Sequence, residues 1–322
     1  MANRLFVTGS TGFVGKELIR QLELKDLDIV GCVRSAGSVL PVGFERFVVD
    51  DITKPDIKWS LALNNIDVVI YTAARAHIMN DEADNPLVEY RKVNCDATLR
   101  LARAAAESGV KRFVFVSSVK VNGEMSDLNR PFTPDDNFIP VDPYGLSKYE
   151  AEQGLLTIAK KTGMEVVIIR PPLVYGPDVR ANFASMLKWV QKGIPLPFGA
   201  INNKRSLVAL DNLVNFIIHC VDHPKAANEI FLISDGEDVS TTELLIKVSK
   251  ALGKNNWLIP VATSWMMFLA KLIGKRDEAN RLFGSLQVDS SKARNLLGWQ
   301  PVCTMDEQLK ETAEWYLAKK SF

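Results

Sequence analysis

The first half of the chain alternates short apolar runs with longer segments in which apolar residues recur at helical spacing. The apolar runs cover residues 5–7, 29–33, 47–49, 68–71, 113–116 and 166–169, and the helical patterns cover residues 13–24, 87–107 and 149–160. Strands that are apolar on both faces and separated by helices are typical of a parallel sheet covered on each side. The pattern therefore predicts an α/β fold with a doubly wound parallel sheet.

The pattern changes at the proline pair that begins with Pro171. Prolines and glycines are frequent between residues 193 and 199, and helical segments become shorter. Residues 230–233 form the only further run that is typical of a buried strand. We predict a first domain over residues 1–170 and a smaller lobe over residues 171–322, with some segments of the lobe returning to the first domain.

The most apolar stretch of the chain covers residues 261–273. It is too short to span a bilayer, which takes about 20 residues, and it contains Ser264 and Lys271. We expect a buried or partner-facing helix in which Trp265 packs against a neighbour, with contact to a membrane surface as the alternative. Because an apolar run already begins at Leu5, there is no room for a signal peptide, and we expect a cytoplasmic protein without an integral membrane segment.

Composition narrows the class of protein. The 322 residues include 39 Lys+Arg and 38 Asp+Glu, a formal net charge of +1, and 47% are hydrophobic. These values are typical of a soluble globular protein of about two domains, and the balanced charge gives no reason to expect a nucleic-acid partner. The 4 cysteines are scattered without a CxxC pair, which indicates a reducing compartment and no metal site.

A glycine-rich turn follows the first predicted strand and precedes the first predicted helix. Residues 8–15 read Thr-Gly-Ser-Thr-Gly-Phe-Val-Gly. Glycines at this spacing allow a tight turn and a close approach of the backbone to a pyrophosphate, which then lies at the positive end of the helix. Glycines also serve ordinary turns, but the strand–turn–helix context favours a dinucleotide site. Its expected contacts are Gly9, Thr11, Gly12, Phe13, Val14 and Gly15.

The end of the second predicted strand bears on which dinucleotide is bound. NAD sites usually place an acidic residue there, which holds the adenosine ribose. Residues 31–34 read Gly-Cys-Val-Arg and contain no carboxylate. Arg34 can pair with a 2′-phosphate, so NADP(H) is favoured and NAD(H) is the alternative. In the competing interpretation, Arg34 is only a solvated charge at a strand end.

Tyr144 and Lys148 are four residues apart, which on a helix places a phenol and an ammonium on one face. A tyrosine with the ordinary pKa of about 10 is a poor acid–base catalyst at neutral pH, and we expect the neighbouring cation to lower the pKa of Tyr144. Ser117 and Ser118 end the fifth apolar run, where a hydroxyl can hold the oxygen that exchanges a proton with Tyr144. Alternatively, these serines satisfy backbone groups at the strand end.

Residues 8–15, 117–118 and 143–148 (Pro-Tyr-Gly-Leu-Ser-Lys) together resemble the extended short-chain dehydrogenase/reductases. More narrowly, they resemble the nucleotide-sugar epimerase, dehydratase and ketoreductase branch of that family. The resemblance implies a Rossmann-type sheet with a C-terminal substrate-binding lobe and a UDP-sugar substrate. It also implies a homodimer formed by the helices at 87–107 and 149–160, and a catalytic set of Ser118, Tyr144 and Lys148.

The resemblance implies further contacts as well. Besides Tyr144 and Lys148, the expected cofactor contacts are Asp51, Ile52, Ala73, Ala74, Asn94 and Pro171. The expected substrate contacts are Ser118, Lys120, Asn182 and Arg205. Arg205 resembles the arginine that holds the sugar-nucleotide diphosphate, whereas Lys120 is alternatively a solvated loop lysine.

Departures from the family pattern reduce the number of reactions that we expect of this chain. Dehydratases of this branch carry an Asp-Glu pair directly after the catalytic serine or threonine, and this chain has Val119 and Lys120 there. Elimination therefore lacks its proton carriers. UDP-glucose 4-epimerases have Val-Tyr-Gly where residues 121–123 read Val-Asn-Gly, and an asparagine where Leu173 lies.

Residues 117–123 and 233–240 instead resemble reductases that act on UDP-2-acetamido-2,6-dideoxy-hexos-4-ulose in surface polysaccharide precursor synthesis. Together with the NADP(H) preference, this resemblance makes reduction of a UDP-linked 4-keto-hexose the predicted activity. A UDP-glucose or UDP-N-acetylhexosamine 4-epimerase that uses the same residues is the alternative. A non-catalytic dinucleotide-sensing protein is the alternative from another class.

Overall fold

The computed structural model describes residues 4–25, 27–75, 85–127, 130–255, 257–274 and 276–319. Its strands are β1 (Arg4–Thr8), β2 (Asp28–Val33), β3 (Glu45–Val48), β4 (Val68–Tyr71), β5 (Arg112–Val116), β6 (Glu165–Arg170), β7 (Leu173–Tyr175), β8 (Arg205–Ala209), β9 (Ile230–Leu232) and β10 (Asp238–Val239). Seven of them form one sheet in the order β3-β2-β1-β4-β5-β6-β9, and all its pairs are parallel. The predicted parallel sheet is confirmed.

Helices cover both faces of this main sheet. The helices are α1 (Phe13–Leu22), α2 (Trp59–Ala62), α3 (Pro86–Tyr90), α4 (Ala97–Glu107), α5 (Pro143–Thr162), α6 (Ala181–Gln191), α7 (Leu210–Asp222), α8 (Thr241–Ala251), α9 (Thr263–Leu272), α10 (Arg276–Phe283), α11 (Ser291–Leu297) and α12 (Met305–Ala318). Successive residues of a strand point to opposite faces. Leu5 and Val7 of β1 therefore join the core formed with α1 and α7, and Phe6 joins the core formed with α4 and α5.

A second, three-stranded sheet in the order β10-β8-β7 packs with α6, α8 and α12 around a separate core. The expectation that residues 230–233 are the only further buried strand is wrong, because β8 is also buried. Its signal is hidden because α7 starts directly after Ala209 without a turn residue. The expected shortening of the helices is also wrong, since α12 has 14 residues and α1 has 10.

The C-terminal half of the chain also contributes to the main sheet. β9 pairs with β6, and α7 packs against the same core as α1. The division into domains at residue 170 stays a prediction.

Two helical segments differ from the sequence pattern in ways that affect the site. The helix predicted over residues 87–107 contains a π-helical turn, Arg91–Asp96, between α3 and α4. α5 begins at Pro143, six residues before the predicted start at 149. Asp142 caps its first turn, with Oδ1 accepting a hydrogen bond from the Gly145 amide at 3.0 Å, and proline is favoured at the first helical position.

The apolar stretch at 261–273 forms α9, but the helix is not buried. Trp265 is 66% exposed and Phe268 is 56% exposed, so the expected packing of Trp265 against a neighbour is wrong. Among the residues that the structure describes, no helix combines the length and the apolar character needed to cross a membrane.

The turn between β1 and α1 is closed by glycines in close contact. Gly9 has a φ of +67°, and the Gly12 amide donates to the Gly9 carbonyl at 2.8 Å. A Cβ on Gly15 would lie 2.0 Å from the Gly9 carbonyl oxygen. Since that oxygen belongs to the backbone, a side chain at residue 15 would force the turn and the helix apart.

We expect Gly15→Ala to lower the free energy of unfolding by about 1–3 kcal/mol, because backbone has to move to admit the methyl group. Urea unfolding measures this change. Gly37→Ala is the matched control: a Cβ there would lie 3.7 Å from its nearest neighbour, Ser35 Oγ, and the change should stay within about 0.5 kcal/mol. Equal stability of the two variants would contradict the close approach.

Candidate functional site

The β1–α1 turn presents uncapped amides at the carboxyl edge of the main sheet. α1 starts after Gly12, and no side chain caps its first turn, so the amides of Phe13 and Val14 lack a helical acceptor. Thr11 and Gly12 are exposed. Free amides at a positive helix end suit a pyrophosphate, and the glycine cradle keeps the turn narrow. The turn therefore fits a dinucleotide.

The end of β4 lies directly against this turn. Thr72 Oγ1 donates to the Thr8 carbonyl at 2.6 Å, and the Ala73 amide donates to Thr8 Oγ1 at 3.2 Å. A Cβ on Gly9 would lie 2.8 Å from Thr72 Oγ1. Ala73 and exposed Ala74 thus continue the edge from the glycine turn, as the predicted cofactor contacts require.

The predicted adenosine contacts lie at neighbouring strand ends. Arg34 is exposed directly after β2. Asp51 Oδ1 accepts hydrogen bonds from the amide and hydroxyl of Thr53, at 2.8 and 2.7 Å. These bonds lower the pKa of Asp51, while Ile52 packs against the core beneath. The adenine contact and the NADP(H) preference stay predictions.

The structure brings Ser118, Tyr144 and Lys148 together. Tyr144 and Lys148 lie in the first turns of α5. Ser118 follows β5 and starts a 3₁₀ turn over residues 119–121, where its Oγ accepts from the Lys120 amide at 3.2 Å. The Ser118 hydroxyl also lies close enough to the Tyr144 phenol to lower the pKa of that phenol. The set has the acid–base group and the hydroxyl donor that alcohol–ketone chemistry needs.

Burial dominates the protonation of this set. Desolvation raises the pKa of Tyr144 to about 12, and the nearby Ser118 hydroxyl opposes the rise. Desolvation lowers the pKa of Lys148 to about 7. Lys148 Nζ donates to the Val116 carbonyl at 2.9 Å and lies 4.5 Å from the Phe115 ring centroid. The expected lowering of the Tyr144 pKa by Lys148 is therefore wrong for this structure: burial raises that pKa, and Lys148, with a pKa of about 7, is neutral at the pH where Tyr144 titrates.

Asn94 joins β4 to α5 from within the π-helical turn. Its Oδ1 accepts from the Arg75 amide at 2.9 Å, and its Nδ2 donates to the Arg75 carbonyl at 3.1 Å and to Ser147 Oγ at 3.0 Å. Ser147 Oγ donates in turn to the Tyr144 carbonyl at 2.8 Å. Asn94 is fully buried, so it positions the helix turn that carries Tyr144. A direct cofactor contact stays a prediction.

A buried ion pair behind the candidate catalytic set was missed by sequence reasoning. Glu152 is 0% exposed and binds Arg170, with Nη2 donating to Oε2 at 2.6 Å and Nε to Oε1 at 3.1 Å. Ser117 Oγ donates to Glu152 Oε1 at 2.5 Å. Of the two adjacent serines, Ser117 therefore serves the interior and Ser118 serves Tyr144. The sequence feature that could have pointed to Glu152 is its position four residues after Lys148, one helical turn further along the same helix.

The same ion pair fixes the loop after the 3₁₀ turn. Arg170 Nη1 donates to Asn122 Oδ1 at 3.1 Å, and Asn122 Nδ2 donates to the Thr133 carbonyl at 2.7 Å. Pro171 is buried, and its carbonyl accepts from the Val119 amide at 3.0 Å. The loop that carries Ser118 is thus bound to the end of β6.

The structure connects some, but not all, of the residues that we predicted to bind the substrate. Lys120 is half-buried and forms an ion pair with Glu124, which in turn lies 3.5 Å from Arg281 Nη2. Arg205 Nη1 donates to the carbonyls of Arg281 and Gly284, at 2.6 and 3.1 Å. These contacts connect Lys120 to Arg205 through α10.

Asn182 lies apart from that chain of contacts. It is exposed in the first turn of α6. In the described ranges, no hydrogen bond or ion pair joins it to Ser118 or Arg205. Its role toward a substrate stays a prediction.

Comparison with known proteins gives consistent results. The model of the "NAD dependent epimerase/dehydratase family" matches residues 5–234. A UDP-glucose 4-epimerase of Vibrio cholerae is 50% identical over 319 residues, which are 98% of this chain and 96% of that protein. An N-acetyl-α-D-glucosaminyl-diphospho-ditrans,octacis-undecaprenol 4-epimerase of Escherichia coli O157:H7 is 29% identical over 259 residues, which are 79% of this chain and 74% of that protein.

Among solved structures, the UDP-glucuronic acid 4-epimerase of Bacillus cereus in complex with NAD has the same fold. The TM-score is 0.79 at 22% identity, with 98% of this chain and 99% of that chain covered. This likeness is evidence for the fold.

We expect Glu152→Gln to lower the free energy of unfolding by about 3–5 kcal/mol, because it leaves the Arg170 guanidinium buried without a counter-charge. Chemical denaturation measures the loss. Glu150→Gln is the control: its pair with Arg91 is partly exposed, so its loss should stay below about 1 kcal/mol. The double variant Glu152→Met/Arg170→Met should recover much of the loss, since neither charge is then buried alone. A Glu152→Gln loss no larger than the control's would contradict the role of the pair.

Lys148 should give the fold a pH dependence of known sign. Its pKa is about 7 in the folded chain and 10.5 for an unperturbed lysine, so between these values the unfolded chain binds more protons. Stability of the wild type therefore rises with pH above 7, by an amount on the order of 2 kcal/mol by about pH 9.5. Urea unfolding across this pH range should show the rise in the wild type and not in Lys148→Met. Lys160→Met, at an exposed lysine of the same helix, should behave like the wild type; an unchanged slope in Lys148→Met would refute the assignment.

Proposed function

Because the chain belongs to the NAD dependent epimerase/dehydratase family, we propose that it is a 4-epimerase of a UDP-linked hexose. The observation that carries the proposal is the 50% identity, over 98% of this chain, to a UDP-glucose 4-epimerase. The other two relatives described above are also named as 4-epimerases of diphosphate-linked sugars. Ser118, Tyr144 and Lys148 lie together as alcohol oxidation at C4 requires.

The residues of this chain supply proton transfer and positioning. Tyr144 accepts the proton of the C4 hydroxyl as the alcohol becomes a ketone and returns it when the ketone is reduced on the other face. Ser118 donates to the same sugar oxygen and keeps it beside Tyr144. When bound, the dinucleotide supplies the acceptor and donor of the C4 hydride and, in its oxidised form, a positive charge.

The half-buried Tyr144 needs a cation to act as a base. Its pKa of about 12 favours the phenol at neutral pH, and a positive charge near the hydroxyl favours the phenolate. Lys148 supplies such a charge when it is protonated, and its pKa of about 7 makes that charge sensitive to pH. Lys148 is also our proposed partner for the nicotinamide ribose.

The environment of Val119 argues against a dehydratase. Elimination needs an acid–base pair directly after the catalytic serine, and Val119 occupies the first of these positions. Its side chain is buried in a small apolar cluster with Leu232 and Leu286. Lys120, the second, is held by Glu124. Neither residue is a carboxylic acid that can carry the proton of an elimination.

Reduction of a 4-keto-hexose by NADPH is the second candidate, and Arg34 is the observation that favours it. Arg34 is exposed at the end of β2, and residues 31–34 offer no carboxylate for the ribose of NAD. The identity to a 4-epimerase and the family of the chain favour an enzyme that reuses its cofactor instead. NAD(H) is therefore our proposed cofactor, with NADP(H) belonging to the second candidate.

The proposed substrate site extends from Tyr144 toward α10. Arg205 carries a guanidinium held by backbone carbonyls of α10 and the residue after it, and we propose that its remaining donors bind the diphosphate. Lys120 lies at the other end of the chain of contacts through Arg281 and Glu124. We further propose a homodimer through α4 and α5.

The assay that tests the function measures isomers and cofactor together. The protein is incubated with UDP-glucose, UDP-galactose, UDP-N-acetylglucosamine or UDP-N-acetylgalactosamine and a trace of NAD. We expect interconversion of at least one C4 pair without net cofactor consumption, since the hydride returns to the same carbon. Chromatography follows the sugars, and near-ultraviolet absorbance follows the reduced cofactor. Stoichiometric NADPH consumption with a UDP-4-keto-hexose and no isomer exchange would establish the reductase instead.

Tyr144→Phe is the matched catalytic variant in the same assay. It should lower turnover about a hundredfold or more, because the proton carrier is lost, and leave dinucleotide binding near the wild-type level. Tyr149→Phe, on the same helix, should retain full activity. Unchanged turnover in Tyr144→Phe would remove Tyr144 from the mechanism.

A further inference from the structure

An apolar surface lies on α9, outside the candidate site. Its exposed side chains recur at i, i+3, i+4, i+7 and i+8, which places them on one stripe of the helix. They are between 55% and 70% exposed: Trp265, Phe268, Leu269, Leu272 and Ile273. Met266 is buried on the other face. α9 is thus fixed to the protein on one face, and four of its large apolar side chains, together with that of Ile273 directly after it, point outward.

The segment before α9 also exposes large apolar side chains. Trp257 is 63% exposed and Ile259 is 50% exposed. Their backbone is held by Leu196, whose amide donates to the Trp257 carbonyl and whose carbonyl accepts from the Ile259 amide, both at 2.8 Å. The backbone is ordered by these bonds, so the exposed side chains stand on a fixed support. The docking surface is defined here as α9 with Trp257, Ile259 and Ile273.

The sequence leading up to and through α9 carries charge of one sign, and acidic residues begin again in α10. Residues 244–276 contain 6 Lys+Arg and no Asp or Glu, and the run ends at Asp277. The whole chain has 39 cations and 38 anions, so the rest of it has 39 − 6 = 33 cations against 38 anions. Lys247 is used within the protein by Glu237 and Asp306. Lys254, Lys271 and Arg276 are exposed.

We propose that the docking surface binds the headgroup region of an anionic phospholipid bilayer, with α9 lying in the plane of the membrane. An apolar stripe with tryptophans inserts into the boundary between headgroups and acyl chains, and flanking lysines attract anionic lipids. The absence of carboxylates over residues 244–276 favours this partner over a protein surface of mixed charge. At 10 residues, α9 suits an interfacial position.

Docking would bring the proposed substrate site close to the membrane. α10 follows α9 in the chain, and the Arg281 carbonyl in its last turn accepts the hydrogen bond from Arg205. The same Arg281 approaches Glu124, the partner of Lys120. Lipid binding and catalysis nevertheless use different side chains, so the test below is independent of enzyme activity.

Co-sedimentation of the full chain with vesicles tests the proposal. The wild type should bind vesicles of phosphatidylcholine with about 40% phosphatidylglycerol at least tenfold more tightly than pure phosphatidylcholine, and high salt should weaken the binding. Lys254→Gln/Lys271→Gln should weaken it about fivefold per cation removed. Phe268→Ser/Leu272→Ser should weaken it further by removing inserted apolar area.

Val42→Ser/Val141→Ser is the control for the apolar variant, since both valines are at least 90% exposed at other places; it should bind like the wild type. Quenching of wild-type tryptophan fluorescence by brominated anionic lipids gives a second measurement that needs no variant. Lack of wild-type binding to anionic vesicles would overturn the proposal. A second result would also overturn the proposal: the wild type binds no lipid, and Phe268→Ser/Leu272→Ser loses self-association. A second copy of the chain would then be the partner that covers the surface.

Discussion

The ion pair between Glu152 and Arg170 is the interaction on which the arrangement of the site depends. Both side chains are almost completely buried, and desolvating two charges costs several kcal/mol unless their hydrogen bonds are satisfied. Here Ser117 and Asn122 complete the bonding. The pair thereby joins the ends of β5 and β6 to α5 and to the loop after Ser118. It holds the candidate catalytic serine and tyrosine from the buried side.

Burial affects the ionisable groups differently on the two sides of the Glu152–Arg170 pair. Behind it, the charges neutralise each other. In front of it, desolvation raises the pKa of Tyr144 and lowers that of Lys148, so the phenol and the amine, whose ordinary pKa values are close, move apart in proton affinity. Groups with such perturbed pKa values in a cleft are typical of acid–base sites. The glycine turn adds a place for the pyrophosphate at the same edge of the sheet.

The C-terminal half has two tasks that the fold keeps separate. β9 and α7 complete the main sheet and its core, whereas β8 carries Arg205, whose guanidinium is held by the carbonyls of Arg281 and Gly284. α9 belongs to neither core, and its outward apolar stripe distinguishes it from the other helices. A protein that keeps such a stripe exposed requires a partner for it, and the local excess of lysine favours an anionic surface.

Features of short range could be predicted from the sequence. The strands of the main sheet, the glycine turn and the Tyr144–Lys148 pair follow from residue type and spacing over a few positions. The family resemblance already assigned Ser118 to Tyr144, but only the tertiary structure showed that Ser117 bonds Glu152, because that partner lies 35 residues away in a direction that a strand end does not define. The tertiary structure also decided that β8 is a buried strand and that α9 is exposed. Burial and pairing arise from contacts between distant segments, and periodicity within one segment does not show which neighbour will cover it.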